Sequence, residues 1–287
     1  MIPAVLSGEA LLADIAAADP SPGEICIWWL GQSGYALKTT NHAVWIDLYL
    51  SDRLTRKYAA THKPHIRMVE VPLSGGQISG ARWVLASHKH TDHFDPETLA
   101  PLFTSNPNAR LILPLAHVDA ALEFGLSHDQ LLPTRGEETL KLADGLTVHS
   151  LPSAHPDFDY HDDTGYPFLS YVLQMDGITL YHSGDTLAYP ELNDRLKPFQ
   201  PDIVFLPING SSSTLQRLGV PPNMNAEDAL RLTAQVGAKL VIPHHYDMFT
   251  FNTADVNRFA DRARELHVPY AVLRVGERYT WNNGAEY

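Results

Sequence analysis

The chain contains the stretch Ser87-His88-Lys89-His90-Thr91-Asp92-His93, directly after the apolar run Trp83-Val84-Leu85-Ala86. A short apolar run of this kind is typical of a buried strand, so the polar cluster is expected at a strand end. Imidazole and carboxylate groups together are suitable ligands for Zn, Mn or Fe. The order His-x-His-x-Asp-His indicates two histidines for one metal ion, and an aspartate and a histidine for a neighbouring ion. Taken alone, the stretch could also be a histidine-rich surface turn.

The composition limits the class of protein. The chain has 287 residues, of which 44% are hydrophobic, and this predicts a single α/β domain over residues 1–287 with a sizeable core. No run of about 18 apolar residues is present, so no membrane span is expected. No Lys or Arg precedes Lys38, which argues against a secretory signal. The single cysteine, Cys26, lies in an apolar run and is expected in the core. Together these features predict a cytoplasmic protein.

The charge is distributed unevenly. A net charge of −12 argues against a nucleic-acid partner, because phosphates favour a basic surface. Residues 52–67 form an exception and predict a basic loop insertion around residues 52–80, either irregular or loosely helical. The segment could be a solvated surface loop or a cationic lid that binds an anionic substrate, because Arg and Lys clamp phosphates and carboxylates. The candidate substrate-binding residues of this segment are Arg53, Arg56, Lys57, His65 and Arg67.

The remaining pattern alternates strands, loops and helices. Short runs rich in Val, Ile and aromatic residues predict strands at residues 25–30, 35–39, 43–47, 82–87, 110–114, 146–151, 169–175, 178–182, 203–207, 239–243 and 270–275. Helices are predicted at residues 9–18, 96–103, 118–124, 226–236 and 255–267. The fourth helix has a capping residue, Asn225, and Asp228 in the capping-box position. Early strands in succession and later strands between helices indicate two mixed sheets with helices outside.

Further metal-ligating residues follow other predicted strands. His155 follows residues 146–151, Asp185 follows residues 178–182, and His245 follows residues 239–243. Strand ends at one edge of a sheet lie close in space, and α/β proteins tend to bind ligands at that edge. A lone histidine is weak evidence, but four such placements around one dense cluster predict a metal site.

This set of residues resembles the metallo-β-lactamase fold superfamily. Finer matches are similar to its L-ascorbate-6-phosphate lactonase (UlaG)-like branch. They are Trp28-Trp29-Leu30-Gly31, Tyr181-His182-Ser183-Gly184-Asp185, Val241-Ile242-Pro243-His244-His245 and Val275-Gly276-Glu277-Arg278-Tyr279-Thr280-Trp281. The resemblance implies a four-layer αββα sandwich that holds one or two divalent metal ions, Zn or Mn rather than Fe, at one edge between the sheets.

The resemblance also implies a role for each residue. His88, His90 and His155 would hold the first ion, Asp92, His93 and His245 the second, and Asp185 would bridge both. Asp47 would orient ligands from behind or serve only as a strand-end cap. Three further residues, His182, Asn209 and His244, lie at strand ends. Each could face the substrate or be purely structural.

The implied activity is hydrolysis of a small anionic ester or lactone by a metal-bound hydroxide, with Asp92 as the catalytic residue. A phosphorylated sugar lactone such as L-ascorbate 6-phosphate is one such substrate. Two alternatives remain open, namely a phosphodiesterase that acts on a small phosphodiester and an iron-dependent redox enzyme of the same fold. Neither a nucleic-acid partner nor a membrane partner is expected, and family resemblance suggests a homo-oligomer.

Overall fold

The computed structural model describes residues 1–284. Its strands are β1 (Glu24–Gly31), β2 (Gly34–Lys38), β3 (Ala43–Ile46), β4 (Trp83–Leu85), β5 (Arg110–Pro114), β6 (Leu131–Thr134), β7 (Thr139–Ala143), β8 (Leu146–Pro152), β9 (Leu169–Met175), β10 (Ile178–His182), β11 (Ile203–Pro207), β12 (Leu240–His244) and β13 (Arg278–Asn282). Its α-helices are α1 (Gly8–Ala17), α2 (Arg53–Tyr58), α3 (Pro96–Ser105), α4 (Val118–Glu123), α5 (Leu192–Leu196), α6 (Ser213–Arg217), α7 (Ala226–Val236) and α8 (Val256–Glu265). Short 3-10 helices lie at Gly75–Gln77, Leu115–His117, His128–Gln130 and Lys197–Phe199.

The strands of residues 1–284 form two mixed sheets. The first has the order β13-β1-β2-β3-β4-β5-β6, and the second has the order β12-β11-β10-β9-β8-β7. In the first sheet β3 to β6 run parallel, and in the second β10 to β12 run parallel. The remaining neighbours are antiparallel. This architecture confirms the predicted αββα sandwich.

The alternation of side chains along β1 explains how the layers pack. Ile25, Ile27 and Trp29 belong to a core that also contains residues of the second sheet, whereas Cys26, Trp28 and Leu30 belong to a core shared with the helices. Because successive side chains of a strand point to opposite faces, one apolar strand can serve both cores. The location of Cys26 confirms its predicted burial.

The helices that cover the sheets are held by specific contacts. On the first sheet, the indole Nε1–H of Trp28 donates to Asp14 of α1 over 2.8 Å. On the second sheet, α7 begins with the predicted capping box, in which Asn225 accepts from the amide of Asp228. A side chain that accepts from these first amides satisfies donors that the helix itself leaves unpaired.

The predicted strands at residues 110–114, 169–175, 178–182 and 203–207 have the observed bounds. The predicted strand at residues 270–275 is wrong, because only Tyr270 pairs with Val241, as an isolated bridge. The chain then leaves the sheet, and the carbonyl of Val275 accepts from the amide of Val5. Prediction from the sequence missed β6, β7 and β13. Most of β7 is partly or fully exposed, so it lacks the apolar signal of a buried strand.

Residues 52–80 connect β3 to β4 and include the short helix α2 and the 3-10 turn Gly75–Gln77. No helix among residues 1–284 combines the length and the apolar character that crossing a membrane requires.

Candidate metal centre

The predicted metal-ligating residues lie at the ends of strands from both sheets. The stretch from His88 to His93 follows β4 of the first sheet. In the second sheet His155 follows β8, Asp185 follows β10, and His245 follows β12. The backbone joins the two sheets here, because the amide of Leu169 donates to Ser87 over 3.0 Å.

The residues form three overlapping groups whose nitrogen and oxygen atoms lie within 4.8 Å of one another in each group. The groups are His88, His90 and His155; His88, His93 and Asp185; and Asp92, His93 and His245. The first and third groups are the two sets that the family resemblance implies for separate ions. All seven predicted residues therefore lie together, in an arrangement that can hold two ions.

Asp185 contacts members of both sets. Its Oδ1 lies 3.3 Å from His93 Nε2, and its Oδ2 lies 3.2 Å from His245 Nε2. Its Oδ2 also lies 3.8 Å from His155 Nε2. A carboxylate in this position has the reach that a bridging ligand requires.

Asp47 lies behind the cluster and is fully buried. One carboxylate oxygen accepts from the Ser87 amide at 2.7 Å, and the other lies 2.7 Å from His93 Nδ1. The residue has a left-handed backbone, with φ of 48°, an unusual conformation for a non-glycine residue. Carboxylates that hold the second ring nitrogen of a metal-binding histidine set its tautomer and orientation. This contact is the one that the predicted orienting role requires.

The environment keeps most of these imidazoles neutral. Burial lowers the pKa of His155 to about 4, and burial together with neighbouring histidines holds the pKa of His88 well below its usual range. Burial also lowers the pKa of His90. Neutral imidazole is the form that offers a lone pair to a metal ion.

His93 has the opposite behaviour. Burial opposes its charged form, but the carboxylates of Asp185, Asp47 and Asp92 outweigh burial and hold its pKa well above the usual range. The buried carboxylates thus attract positive charge to this point, which a divalent cation can supply in place of a proton.

Unpartnered atoms provide a test of whether a metal ion fits. His93 Nε2 and Asp185 Oδ1 are buried and have no hydrogen-bond partner among residues 1–284. Buried polar atoms are normally satisfied, and these two lie only 3.3 Å apart within the cluster. Nitrogen and carboxylate donors in this number suit Zn, Mn or Fe. The residues therefore fit a metal centre.

A cavity of about 330 Å³ opens onto the cluster. Five of the metal-binding candidates line it, namely His90, Asp92, His155, Asp185 and His245. The opposite wall contains the aromatic rings of Tyr58, His65, Phe249 and Phe251. His65 stacks on Tyr58 with ring centroids 4.2 Å apart, and Phe251 packs against His65 at 4.4 Å. The cavity has the size of a site for a small molecule.

The basic segment contributes only part of its predicted residues to this cavity. Lys57 and His65 line it, whereas Arg53, Arg56 and Arg67 do not. Arg53 and Arg56 pair with Glu97 at the surface. The guanidinium of Arg67 lies 2.9 Å from Asp52 and 4.7 Å from the ring centroid of Tyr49. The expectation that these three arginines face the substrate is corrected, because carboxylates within the protein already hold them.

The other predicted strand-end residues lie behind the cavity wall. His182 and His244 are fully buried, stack with ring centroids 5.3 Å apart, and do not line the cavity. The carbonyl of Ser33 lies 2.9 Å from His182 Nε2, and the hydroxyl of Ser33 lies 2.6 Å from His244 Nδ1. Of the two roles left open by the sequence, the structure favours the structural one for both rings. Their positions on the strands turn them toward Ser33.

Asn209 also does not line the cavity. Its side-chain Nδ2 donates to Asn252 Oδ1 over 3.0 Å, and its side-chain Oδ1 accepts from Asn223 Nδ2 over 3.2 Å. Asn223 and Asn252 both line the cavity. Asn209 therefore connects two wall residues that the sequence did not indicate.

Several wall residues were not among the candidates, although Lys63 belongs to the basic segment at residues 52–67. Lys89 and Lys63 line the cavity, and the ammonium group of Lys63 donates to the carbonyl of Leu218 over 3.2 Å. Lys89 lies within the histidine stretch, so its position between His88 and His90 could have indicated a place beside the site. Gln32, which contacts Asp92 over 2.7 Å, had no such signal.

Comparisons with known proteins place the chain in a family. A model of the Beta-lactamase superfamily domain matches residues 26–245. A probable L-ascorbate-6-phosphate lactonase UlaG from Escherichia coli O45:K1 (strain S88) is 25% identical over 313 aligned residues, which cover 96% of this chain and 86% of that protein.

Two solved structures share the fold. Igni18, a metallo hydrolase from the archaeon Ignicoccus hospitalis, is 22% identical with a TM-score of 0.65, and the match covers 90% of this chain and 99% of that chain. An isothiocyanate hydrolase from Delia radicum gut bacteria is 18% identical with a TM-score of 0.72, with the same coverage of 90% and 99%. The predicted resemblance is confirmed. This chain belongs to the metallo-β-lactamase superfamily, and it is similar at 25% identity to the probable lactonase UlaG.

Proposed function

We propose that this protein hydrolyses a small anionic ester or lactone, with a phosphorylated sugar lactone such as L-ascorbate 6-phosphate as the leading candidate. One observation carries the proposal, namely that lysines and the metal-binding candidates line the same cavity. Lys57, Lys63 and Lys89 lie on its wall, although the chain as a whole has a net charge of −12. Ammonium groups are point charges that bind phosphate and carboxylate, so the cavity favours an anion.

The seven clustered residues would hold two divalent ions, which we propose to be Zn or Mn. His88, His90 and His155 would hold the first ion, Asp92, His93 and His245 the second, and Asp185 would contact both. Divalent ions in such sites lower the pKa of water and polarise a carbonyl or phosphoryl oxygen.

The chain's own groups would divide the remaining tasks. Asp92 lines the cavity and would accept a proton from the attacking water, then pass it to the leaving oxygen. Asp47 would keep the His93 ring in one orientation. Lys63, which Leu218 holds at the wall, would bind the anionic part of the substrate.

The test is hydrolysis of L-ascorbate 6-phosphate by protein loaded separately with Mn and with Zn, with the Asp92→Asn variant as the blank. We expect turnover that is lost in the variant. Absence of turnover on this compound and on other phosphorylated lactones and simple esters would contradict the proposal. Stoichiometric iron with oxygen uptake would indicate redox chemistry instead.

The anion-binding role of the cavity lysines is tested separately. We expect Lys63→Ala to lower kcat/KM for a phosphorylated lactone about tenfold more than for its unphosphorylated counterpart, since a charge-assisted contact contributes about 1.5–3 kcal/mol. Lys141→Ala removes a surface lysine that pairs with Asp144 and should change neither value. Equal losses on both substrates in Lys63→Ala would contradict an anion-binding role.

A further inference from the structure

Gln32 is a buried residue in the turn between β1 and β2. Its side chain is fully buried, and its backbone has a positive φ of 53°. Its carbonyl oxygen accepts from the indole Nε1–H of Trp29 at 3.0 Å and from the amide of His245 at 3.2 Å. The turn is thereby attached to the backbone of a metal-binding candidate that lies at the end of the other sheet.

The side-chain amide reaches the same group of residues. Gln32 Nε2 lies 2.7 Å from Asp92 Oδ2, to which it donates, and 3.0 Å from His245 Nε2. Asp92 and His245 both belong to the group assigned to the second ion. Gln32 Oε1 is buried and has no hydrogen-bond partner among the residues that the structure describes. The amide is therefore engaged only at its donor end.

A neutral donor has an advantage at this point. It holds Asp92 Oδ2, the oxygen that lies 3.8 Å from Nε2 of both His93 and His245, and it adds no charge beside the carboxylates of Asp92 and Asp185. Groups that hold metal ligands from behind commonly change metal affinity by about 10–100-fold when they are removed. Among residues 1–284 the hydrogen bonds of the Gln32 side chain reach Asp92 and His245 and none of His88, His90 and His155.

We propose that Gln32 is a positioning residue for the second metal ion, and that it controls the affinity of that position without affecting the first. Its amide holds the Asp92 carboxylate, and its main-chain carbonyl holds the backbone of His245. The inference rests on the two-ion site of the proposed function.

The test is a Zn²⁺ titration of metal-free protein against a competing chelator, which resolves the two binding steps. In Gln32→Met, which has a similar shape but no donor, we expect the second step to weaken about 10–100-fold and the first step to stay within about twofold. Gln174→Met is the chemically matched control, because Gln174 is exposed on β9 and should leave both steps unchanged.

A second variant keeps the test decisive. Gln32→Glu keeps the shape but replaces the donor by a carboxylate that faces Asp92, so we expect the second step to weaken again. Tighter second binding in Gln32→Glu would overturn the donor role and indicate direct ligation through oxygen. An unchanged second step in Gln32→Met, or equal weakening of both steps, would also overturn the inference. Wild-type protein that binds only one ion would reject the two-ion site itself, even if hydrolysis is intact.

Discussion

At the scale of single residues, Asp92 belongs to the cluster of candidate metal ligands and also lines the cavity. Its side chain is partly exposed to that space, whereas His93 beside it is fully buried. Burial raises the pKa of a carboxyl group, but the neighbouring His93 and His245 outweigh burial and lower the pKa of Asp92. It is therefore ionised at neutral pH and able to accept a proton.

We expect Asp92→Asn to lower kcat by about 10²–10⁴-fold, the usual contribution of a positioned acid–base group. The amide keeps the shape of the side chain but cannot accept a proton from water. Steady-state kinetics with metal content measured on the same sample would check this. The free energy of unfolding should change little, and near-normal turnover would remove Asp92 from the mechanism.

The two ion positions can be separated by histidine variants. We expect His88→Ala and His245→Ala each to reduce bound metal, because each removes a nitrogen from one of the clustered groups. His161→Ala is the control, because it removes an exposed histidine whose ring pairs with Asp159. It should bind metal as the wild type does. Full metal occupancy by elemental analysis in both of the first two variants would refute the assignment.

At the scale of elements, the loop after β10 must come very close to the end of β4. Gly184 has a φ of 55°, and a Cβ at this position would lie 2.7 Å from the Cβ of Ser87. The missing side chain lets Asp185 reach the histidines that follow β4. Gly177, in the turn between β9 and β10, has a φ of 85° but nothing within 4 Å of such a Cβ.

We expect Gly184→Ala to destabilise the protein more than Gly177→Ala. Both substitutions impose a left-handed backbone on alanine, at a cost of about 1–2 kcal/mol, but only the first also pushes Ser87 away. The difference between the free energies of unfolding of the two variants, measured with denaturant, isolates the contact with Ser87. Gly184→Ala should also bind less metal. Equal losses of stability with unchanged metal binding would contradict the close approach.

At the scale of the whole molecule, the buried histidines make the stability of the metal-free protein depend on pH. Burial lowers the pKa of His155 from 6.5 to about 4. The unfolded chain therefore takes up a proton below about pH 6.5, while the folded chain does so only near pH 4. Stability falls as the pH drops through this window, and His88 and His90 act in the same direction. His93, whose pKa is raised, acts in the opposite direction.

We expect the metal-free protein to be less stable at pH 5 than at pH 7, with His155 alone contributing about 2 kcal/mol of the loss. Urea unfolding at the two pH values measures the difference, and His155→Gln should show a smaller one. Bound metal should enlarge the difference, since metal binds the neutral imidazoles and therefore stabilises the folded state more at pH 7 than at pH 5. Greater stability at pH 5 would mean that His93 dominates the cluster.

The histidine stretch, the strand-end positions of His155, Asp185 and His245, and the alternation of apolar residues are all local patterns. They were sufficient to predict two mixed sheets and the residues that gather at their edge, because the ends of neighbouring strands must meet, and the resemblance to the metallo-β-lactamase superfamily then implied the sandwich. Exposed strands such as β7 escaped prediction, since little apolar surface marks them in the sequence.

The tertiary structure decided which side chains face the cavity. Nothing in the local sequence distinguishes Lys57, which lines the cavity, from Arg56, which pairs with Glu97. The contact between Gln32 and Asp92 joins residues that are 60 positions apart. The sequence by itself thus determined the fold, through periodicity together with the family motifs, and the set of candidate metal ligands, through donor chemistry. The wall of the cavity and the support behind the cluster depend on contacts between distant segments, which no local pattern encodes.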